Sequence, residues 1–241
     1  MSTSTPHPAP APCPAAEAVL RLTVDLVARG VTPPNLDIVC RAAATALGVD
    51  GVAVTLASSS GNRAVIGGSD ATARAIEAIQ LTVGEGPCTE ATARNTRVMA
   101  RDIRDPGDAR WPIFVQHLDN LPVRALSAAP LLLGAAPVGS VNFYSARAGG
   151  LDGLAASTAA ELARAIVVAL LALRAEDSSG APVPYPVDTA VHQATGMVAA
   201  TLGVPTSDAL ARLRALAFVE GRMLADVSRD VVERRLAPSL D

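Results

Sequence analysis

Residues 187–236 read VDTAVHQATGMVAATLGVPTSDALARLRALAFVEGRMLADVSRDVVERRL, and the apolar spacing in this run decides the C-terminal part of the fold. Val187, Ala190, Val191, Ala194, Val198 and Leu202 recur at helical intervals, and Gly203 follows as a stop, which predicts a first helix. Ala209, Leu210, Leu213, Leu216 and Ala217 form a second stripe, with Thr206 expected as its N-cap, Asp208 in the positive first turn and Gly221 beyond its end. Leu224, Val227, Val231 and Leu236 give a third, with Asp226, Arg229, Asp230 and Glu233 turned outward. Three short amphipathic helices around one small core are expected. Gly196 lies inside the first of them, where glycine costs about 1 kcal/mol relative to alanine. Either tight helix packing or close backbone approach by a partner would account for it.

Upstream, 176–186 is small, polar and proline-rich, EDSSGAPVPYP, as a linker is. Gly180, Pro182, Pro184 and Pro186 forbid an uninterrupted coiled coil through it. Before the linker, helices are expected over 15–29 and 36–47, separated by Pro33-Pro34, then a hairpin of 51–57 and 63–67 about a turn at 58–61. A helix over 70–79, a strand over 96–100, a short helix over 111–118, two long strands over 123–133 and 137–145 and a helix over 154–173 complete the pattern. Strands framed by helices make an α+β domain over 15–175. Prolines at 6, 8, 10, 12 and 14 favour an extended arm over 1–14. The expected order is arm, sheet domain, linker and three-helix unit.

The chain has 241 residues, half of them hydrophobic, which is ample for packed cores. Its net charge of -3 gives no general basic field toward nucleic acid or anionic lipid, so any such binding is local. All 20 basic residues are arginine, which reflects coding composition before function. Residues 187–236 hold six arginines and six acids, and Arg222/Asp226 and Asp230/Arg234 are spaced to neutralise each other on a helix. Cysteines at 13, 40 and 88 and histidines at 7, 117 and 192 make neither a disulfide framework nor a zinc pattern. The first residues lack the basic and apolar regions of a secretory signal, so a cytoplasmic protein is expected. The uncharged run 125–146 is broken by Pro130, Gly134, Pro137 and Gly139 and is expected to be a hairpin rather than a membrane span.

No phosphate loop, metal-ligand spacing or nucleophile triad stands out, so an enzyme is not expected and no cofactor is indicated. Pro87 suits the first turn of a helix, which would set Cys88 near the positive end of the helix dipole, where thiol pKa falls. Cys88 is therefore a candidate redox or ligand-sensing residue, the alternative being a small buried apolar residue of the core. Arg110, Trp111, Phe114, Phe143 and Tyr144 are expected in the core, although a pocket lining is the other option.

The segments Ala194-Thr195-Gly196-Met197, Leu202-Gly203-Val204, Leu213-Arg214 and Leu224-Ala225-Asp226-Val227 resemble the ANTAR domain, the RNA-binding antiterminator module of bacterial regulators. Thr195 stands where that family often has lysine, and Pro205 where it usually has a Ser or Thr cap. The order of elements over 15–175, with Gly84-Glu85-Gly86-Pro87-Cys88 before a short helix and Val138 to Tyr144 as the last strand, resembles a GAF domain of the kind found in GAF-ANTAR regulators of actinobacteria. The resemblance implies an antiparallel sensor sheet with flanking helices, a small-molecule ligand on its concave face in many relatives, and a homodimer. It also implies that the three-helix output module binds leader-transcript hairpin loops, through Thr195, Gly196, Arg214 and Arg222. Two other functions fit three helices: a DNA-binding helix-turn-helix, opposed by Asp226, Asp230 and Glu233 on the third helix, and a dimerisation module without nucleic acid.

Overall fold

The computed structural model describes residues 13–28, 36–57, 63–175 and 189–239. The proline arm apart from Cys13 and Pro14, the Pro33-Pro34 break, the turn at 58–61 and the linker lie outside the described residues.

Five strands, β1 (Gly51–Ala57), β2 (Arg63–Gly68), β3 (Val98–Ala100), β4 (Ala125–Leu133) and β5 (Ala136–Ser145), form one antiparallel sheet in the order β2-β1-β5-β4-β3. The alternation of the strands sorts their side chains to two faces. Val52, Val54, Val141 and Phe143 face a core closed by α1 (Pro14–Ala28), α2 (Leu36–Leu47) and α6 (Ala156–Ala175). Ala53, Leu126, Ala128 and Tyr144 face a second core under α3 (Ala71–Val83), α4 (Pro87–Arg94) and α5 (Pro112–Gln116). The expected α+β sheet with helices on either side is present. Trp111, Phe114, Phe143 and Tyr144 are all buried in the core, as expected, whereas Arg110, expected there with them, is exposed.

Cys13 is part of the fold rather than of an arm. Its amide donates to Glu161 on α6 at 2.7 Å, and its sulfur accepts from the amide of Ala16 at 3.3 Å, as an N-cap side chain does.

The helix over 71–83 runs one turn further than its apolar pattern predicts. Asp70 caps its start through the Ala73 amide, and Gly84 ends it in the left-handed region at φ 75°, its amide bonded to the Gln80 carbonyl. Gly86, at φ 131°, must also be glycine, because a β-carbon there would lie 2.4 Å from the Gln80 amide oxygen. Glu85 then accepts from the Phe114 amide at 2.8 Å and Glu90 from the Trp111 indole at 3.0 Å. The Gly-Glu-Gly-Pro-Cys segment thus ties α3, α4 and α5 together.

The C-terminal unit comprises α7 (Ala190–Leu202), α8 (Thr206–Val219) and α9 (Leu224–Val232), packed around Ala194, Val198, Ala209, Leu213, Ala217, Leu224, Val227 and Val231. The expected cap is corrected. Thr206 occupies the first helical position and makes no cap bond, while Pro205 takes the N-cap place with its carbonyl accepting from Asp208 and Ala209.

This unit rests on the end of α3. The Arg214 Nε donates to the Leu81 carbonyl at 3.0 Å, the Leu224 amide donates to the Thr82 hydroxyl at 3.1 Å, and Met223 packs against the core under α3 to α5. Among the described residues no helix is long and apolar enough to cross a membrane.

Candidate functional site

The inner face of the sheet beneath α3 and α4 is unusually polar for a core. Thr55 on β1 donates to the Glu77 carboxylate at 2.9 Å, and the Gln80 amide donates to its other oxygen at 2.7 Å. The Gln80 oxygen in turn accepts from the Cys88 amide at 2.8 Å. These groups are buried, as are Ser140 and Asn142 on β5, and the Asn142 side-chain oxygen has no hydrogen-bond partner. Unpaired buried acceptors cost free energy, so this one marks a place where a further donor would be favoured. The space against Glu77 and Asn142 is about 10 Å³, close to the minimum for a single water. Among the described residues, this face of the sheet thus holds a buried polar cluster around a void of that size.

Burial decides the chemistry of this cluster. It pushes the Glu77 carboxyl up to about 7, against the opposing bonds from Thr55, Cys88 and Gln80 and the charge of Arg63. It also pushes the Cys88 thiol well above its ordinary range, with the Glu77 charge acting in the same direction. Cys88 does sit in the first turn of α4, as predicted, but the activated thiol expected from that position is not found. Desolvation of a fully buried sulfur outweighs the dipole of a two-turn helix.

The four residues singled out for RNA contact fall in three different settings. Thr195 is fully buried, its hydroxyl donating to the Val191 carbonyl at 2.6 Å, so it faces the core of the helical unit and offers no surface contact. Gly196, one residue and about 100° further round the helix, is exposed, and a β-carbon built on it meets nothing within 4 Å. Tight helix packing is thereby removed as the reason for this glycine among the described residues. Arg214 is half-buried against the sensor, and burial followed by the charge of Arg63 pushes its pKa down.

Arg222 is exposed but doubly paired, at 2.9 Å to Glu220 and 2.5 Å to Asp230, and those carboxylates hold its pKa up. The expected partner, Asp226, pairs with Arg229 instead. Arg222 precedes α9, so helical i,i+4 geometry does not apply to it. Asp230 likewise pairs with Arg235 rather than Arg234, whose φ of 58° takes it out of the helix.

The Thr55-Glu77-Gln80 chain escaped sequence reasoning, its only local signal being a Glu and a Gln three apart on the inner face of α3. Phe218, legible in the sequence as the one aromatic of the helical unit, stays 57 % exposed beside Arg214 and Arg222 in a groove facing Ile113 and His117.

Among curated proteins none matches this chain. Similar solved structures include the free methionine-R-sulfoxide reductase from Neisseria meningitidis, 17 % identical, over 67 % of this chain and 89 % of that one, with a TM-score of 0.44. The GAF domain of nlh2 from A. aeolicus in an inactive state is 13 % identical over 65 % of this chain and 96 % of that one, with a TM-score of 0.42. The GAF domain of a phosphoenolpyruvate-protein phosphotransferase from Coxiella burnetii is 15 % identical over 65 % and 95 %, with a TM-score of 0.40. The family model described as GAF domain matches residues 36–171, more than half of the sequence and the whole of the sheet with α2 to α5 and most of α6, and the chain therefore belongs to the GAF domain family.

Proposed function

We propose that this protein is a signal-responsive, RNA-binding transcription antiterminator of the cytoplasm, in which the GAF sensor controls a C-terminal ANTAR-type module that engages hairpin loops of leader RNA. The role is regulatory rather than catalytic. The observation that carries the RNA reading is Gly196, a mid-helix glycine with ordinary helical backbone and open space around it. Nothing within the fold requires glycine there, so a sequence under stability selection alone would carry alanine. A partner that must approach the backbone of α7 closely accounts for it. The exposed Phe218 offers a stacking face of the kind on which unpaired loop bases are bound. The acidic residues Asp226, Asp230 and Glu233 on or just after α9 also oppose a major-groove helix.

Gly196→Ala is expected to raise stability by about 1 kcal/mol in chemical denaturation, through helix propensity. The same variant is expected to weaken binding to a structured leader RNA, with Gly196→Leu abolishing it in a folded protein. Tighter or unchanged RNA binding by the leucine variant, or preference for duplex DNA in the same assay, overturns the reading. Arg214→Ala and Arg222→Ala are expected to weaken RNA binding and to reduce its salt slope by about one each for a true phosphate contact.

The functional unit is a homodimer built on the sensor's outer helices. Val168 and Leu171 on α6 remain 52 % and 48 % exposed, and Val24 on α1, the helix packed against it, 69 %. Val168→Glu is expected to shift the protein toward monomer in sedimentation equilibrium; a wild type that is monomeric at tens of micromolar counts against the dimer.

A further inference from the structure

A cavity of about 370 Å³ lies between the sensor and the helical unit, beside the edge strand β2 and outside the polar cluster of the sheet face. We propose that this cleft is a binding site for a small organic anion with an apolar body, such as a carboxylate or phosphate monoester, and that its occupant joins the two units. The volume falls in the range of small-molecule sites, about 300–1,000 Å³.

The walls supply both halves of such a ligand's requirement. Leu81 on α3, Val191 on α7 and Met223 before α9 are apolar and come from both units. Arg63 and Arg74 bring positive charge from the sensor side. Arg63 spends its donors on neutral groups, the Thr89 hydroxyl at 2.8 Å, the Thr89 carbonyl at 3.4 Å and the Cys88 sulfur at 3.6 Å, and pairs with no carboxylate among the described residues.

Arg74 has Asp37 as its carboxylate. The cleft's own acid, Asp226, is answered by Arg229 on the same helix at 2.9 Å. Arg214 lines the neighbouring groove with Ile113 and His117, donates to the neutral Leu81 carbonyl, and has its pKa pushed down by burial and then by the charge of Arg63. Of the cleft's own arginines, Arg63 thus donates its hydrogen bonds to neutral groups, with the buried Glu77 carboxyl near enough to feel its charge. Partly buried charge in that state is electrostatically incomplete, and an anion entering the cleft completes it.

An occupant touching both units favours their docked arrangement by mass action, since it binds that arrangement alone. In that arrangement Arg214 stays on the Leu81 carbonyl and away from any other partner. This regulatory consequence, unlike the site itself, rests on the RNA reading.

The test uses the full chain and 8-anilinonaphthalene-1-sulfonate, a fluorescent aromatic anion, with the uncharged N-phenyl-1-naphthylamine as its neutral counterpart. One saturable site per chain is expected, with the neutral molecule at least tenfold weaker. Arg63→Gln is expected to weaken the sulfonate at least tenfold while leaving the neutral molecule unchanged. Ala225→Trp, which narrows the cleft from the helical unit without touching the arginines, is expected to exclude both, and it serves as the readout if Arg63→Gln does not fold. Equal affinity for the two molecules, or sulfonate binding unaffected by Ala225→Trp, overturns the proposal. No RNA enters this measurement, so its failure leaves the RNA reading standing, and the reverse also holds.

Discussion

Iodoacetamide at pH 8 is expected to label Cys13 in the folded protein and to leave Cys40 and Cys88 unlabelled until the chain opens. Thiolate is the reacting species, so the rate follows both access and ionisation. Cys13 is half-buried, while Cys40 and Cys88 are buried on opposite faces of the sheet, one in each core. For Cys40, burial first and the Asp37 charge second push the pKa from about 9 to about 12. That shift alone reduces the thiolate population at pH 8 by roughly a thousandfold. Cys88 is pushed in the same direction by the same cause, reinforced by Glu77. Peptide mapping by mass spectrometry after graded exposure reads all three sites at once. The expected result is labelling of Cys13 alone, with Cys40 and Cys88 appearing together on addition of urea. Labelling of Cys88 at a rate near that of Cys13 would restore the activated thiol that its place in the first turn of α4 suggested, and with it a redox role in sensing.

That contrast shows where sequence is informative. Strands β1 and β5 were legible because alternation is local: Val52 and Val54 against Ala53 and Thr55 already assign two faces. The three C-terminal helices were legible for the same reason at a period of 3.6, and the positions predicted for their core pack together, apart from Ala190, which is buried outside that cluster, and Val187, which lies outside the described residues. Cys88 was placed correctly at a helix start, yet its chemistry depends on the packing of α4 against β4 and β5, strands that lie far from it in sequence.

Thr195 and Gly196 are neighbours in sequence and were taken together as a binding motif, but the helical rotation between them sends one inward and the other out. The bond from Arg214 to Leu81 spans 133 residues and leaves no local trace. Arg222 was assigned a helical ion-pair partner although it stands ahead of the helix, where spacing rules do not hold. Local periodicity thus gave the elements, while charge, burial and contact at the candidate sites were set by tertiary approach.

Glu77→Gln is expected to remove most of the pH dependence of stability between about pH 4.5 and 7 and to make the protein more stable than wild type at pH 8. Glu77 is fully buried, and its folded-state pKa is raised from an unfolded value of 4.5 to about 7, mainly by desolvation. A carboxyl shifted in this direction stabilises the fold through its protonated form. Below about pH 4.5 both states hold the proton and the contribution is complete.

Between 4.5 and 7 the unfolded chain loses its proton while the folded chain keeps it, so stability falls as pH rises, by about 1.4 kcal/mol per unit. Above 7 both states are ionised and the loss levels off at roughly 3 kcal/mol. Glutamine has the same shape, can still accept from Thr55, and carries no charge to desolvate; its contacts with the Gln80 amide and the Cys88 thiol have to rearrange. Urea denaturation at pH 5, 6, 7 and 8 reads the effect, with the wild type losing stability across the series more steeply than the variant. The side-chain carboxyl resonance of Glu77 should titrate with a midpoint near 7. Parallel pH profiles for the two proteins, or a Glu77 midpoint near 4.5, would mean that the carboxyl is solvated in solution and that the sensor face is open where the structure has it filled. The first outcome leaves a titrating group on α3 one turn from Leu81 and Thr82, the residues on which the C-terminal unit rests.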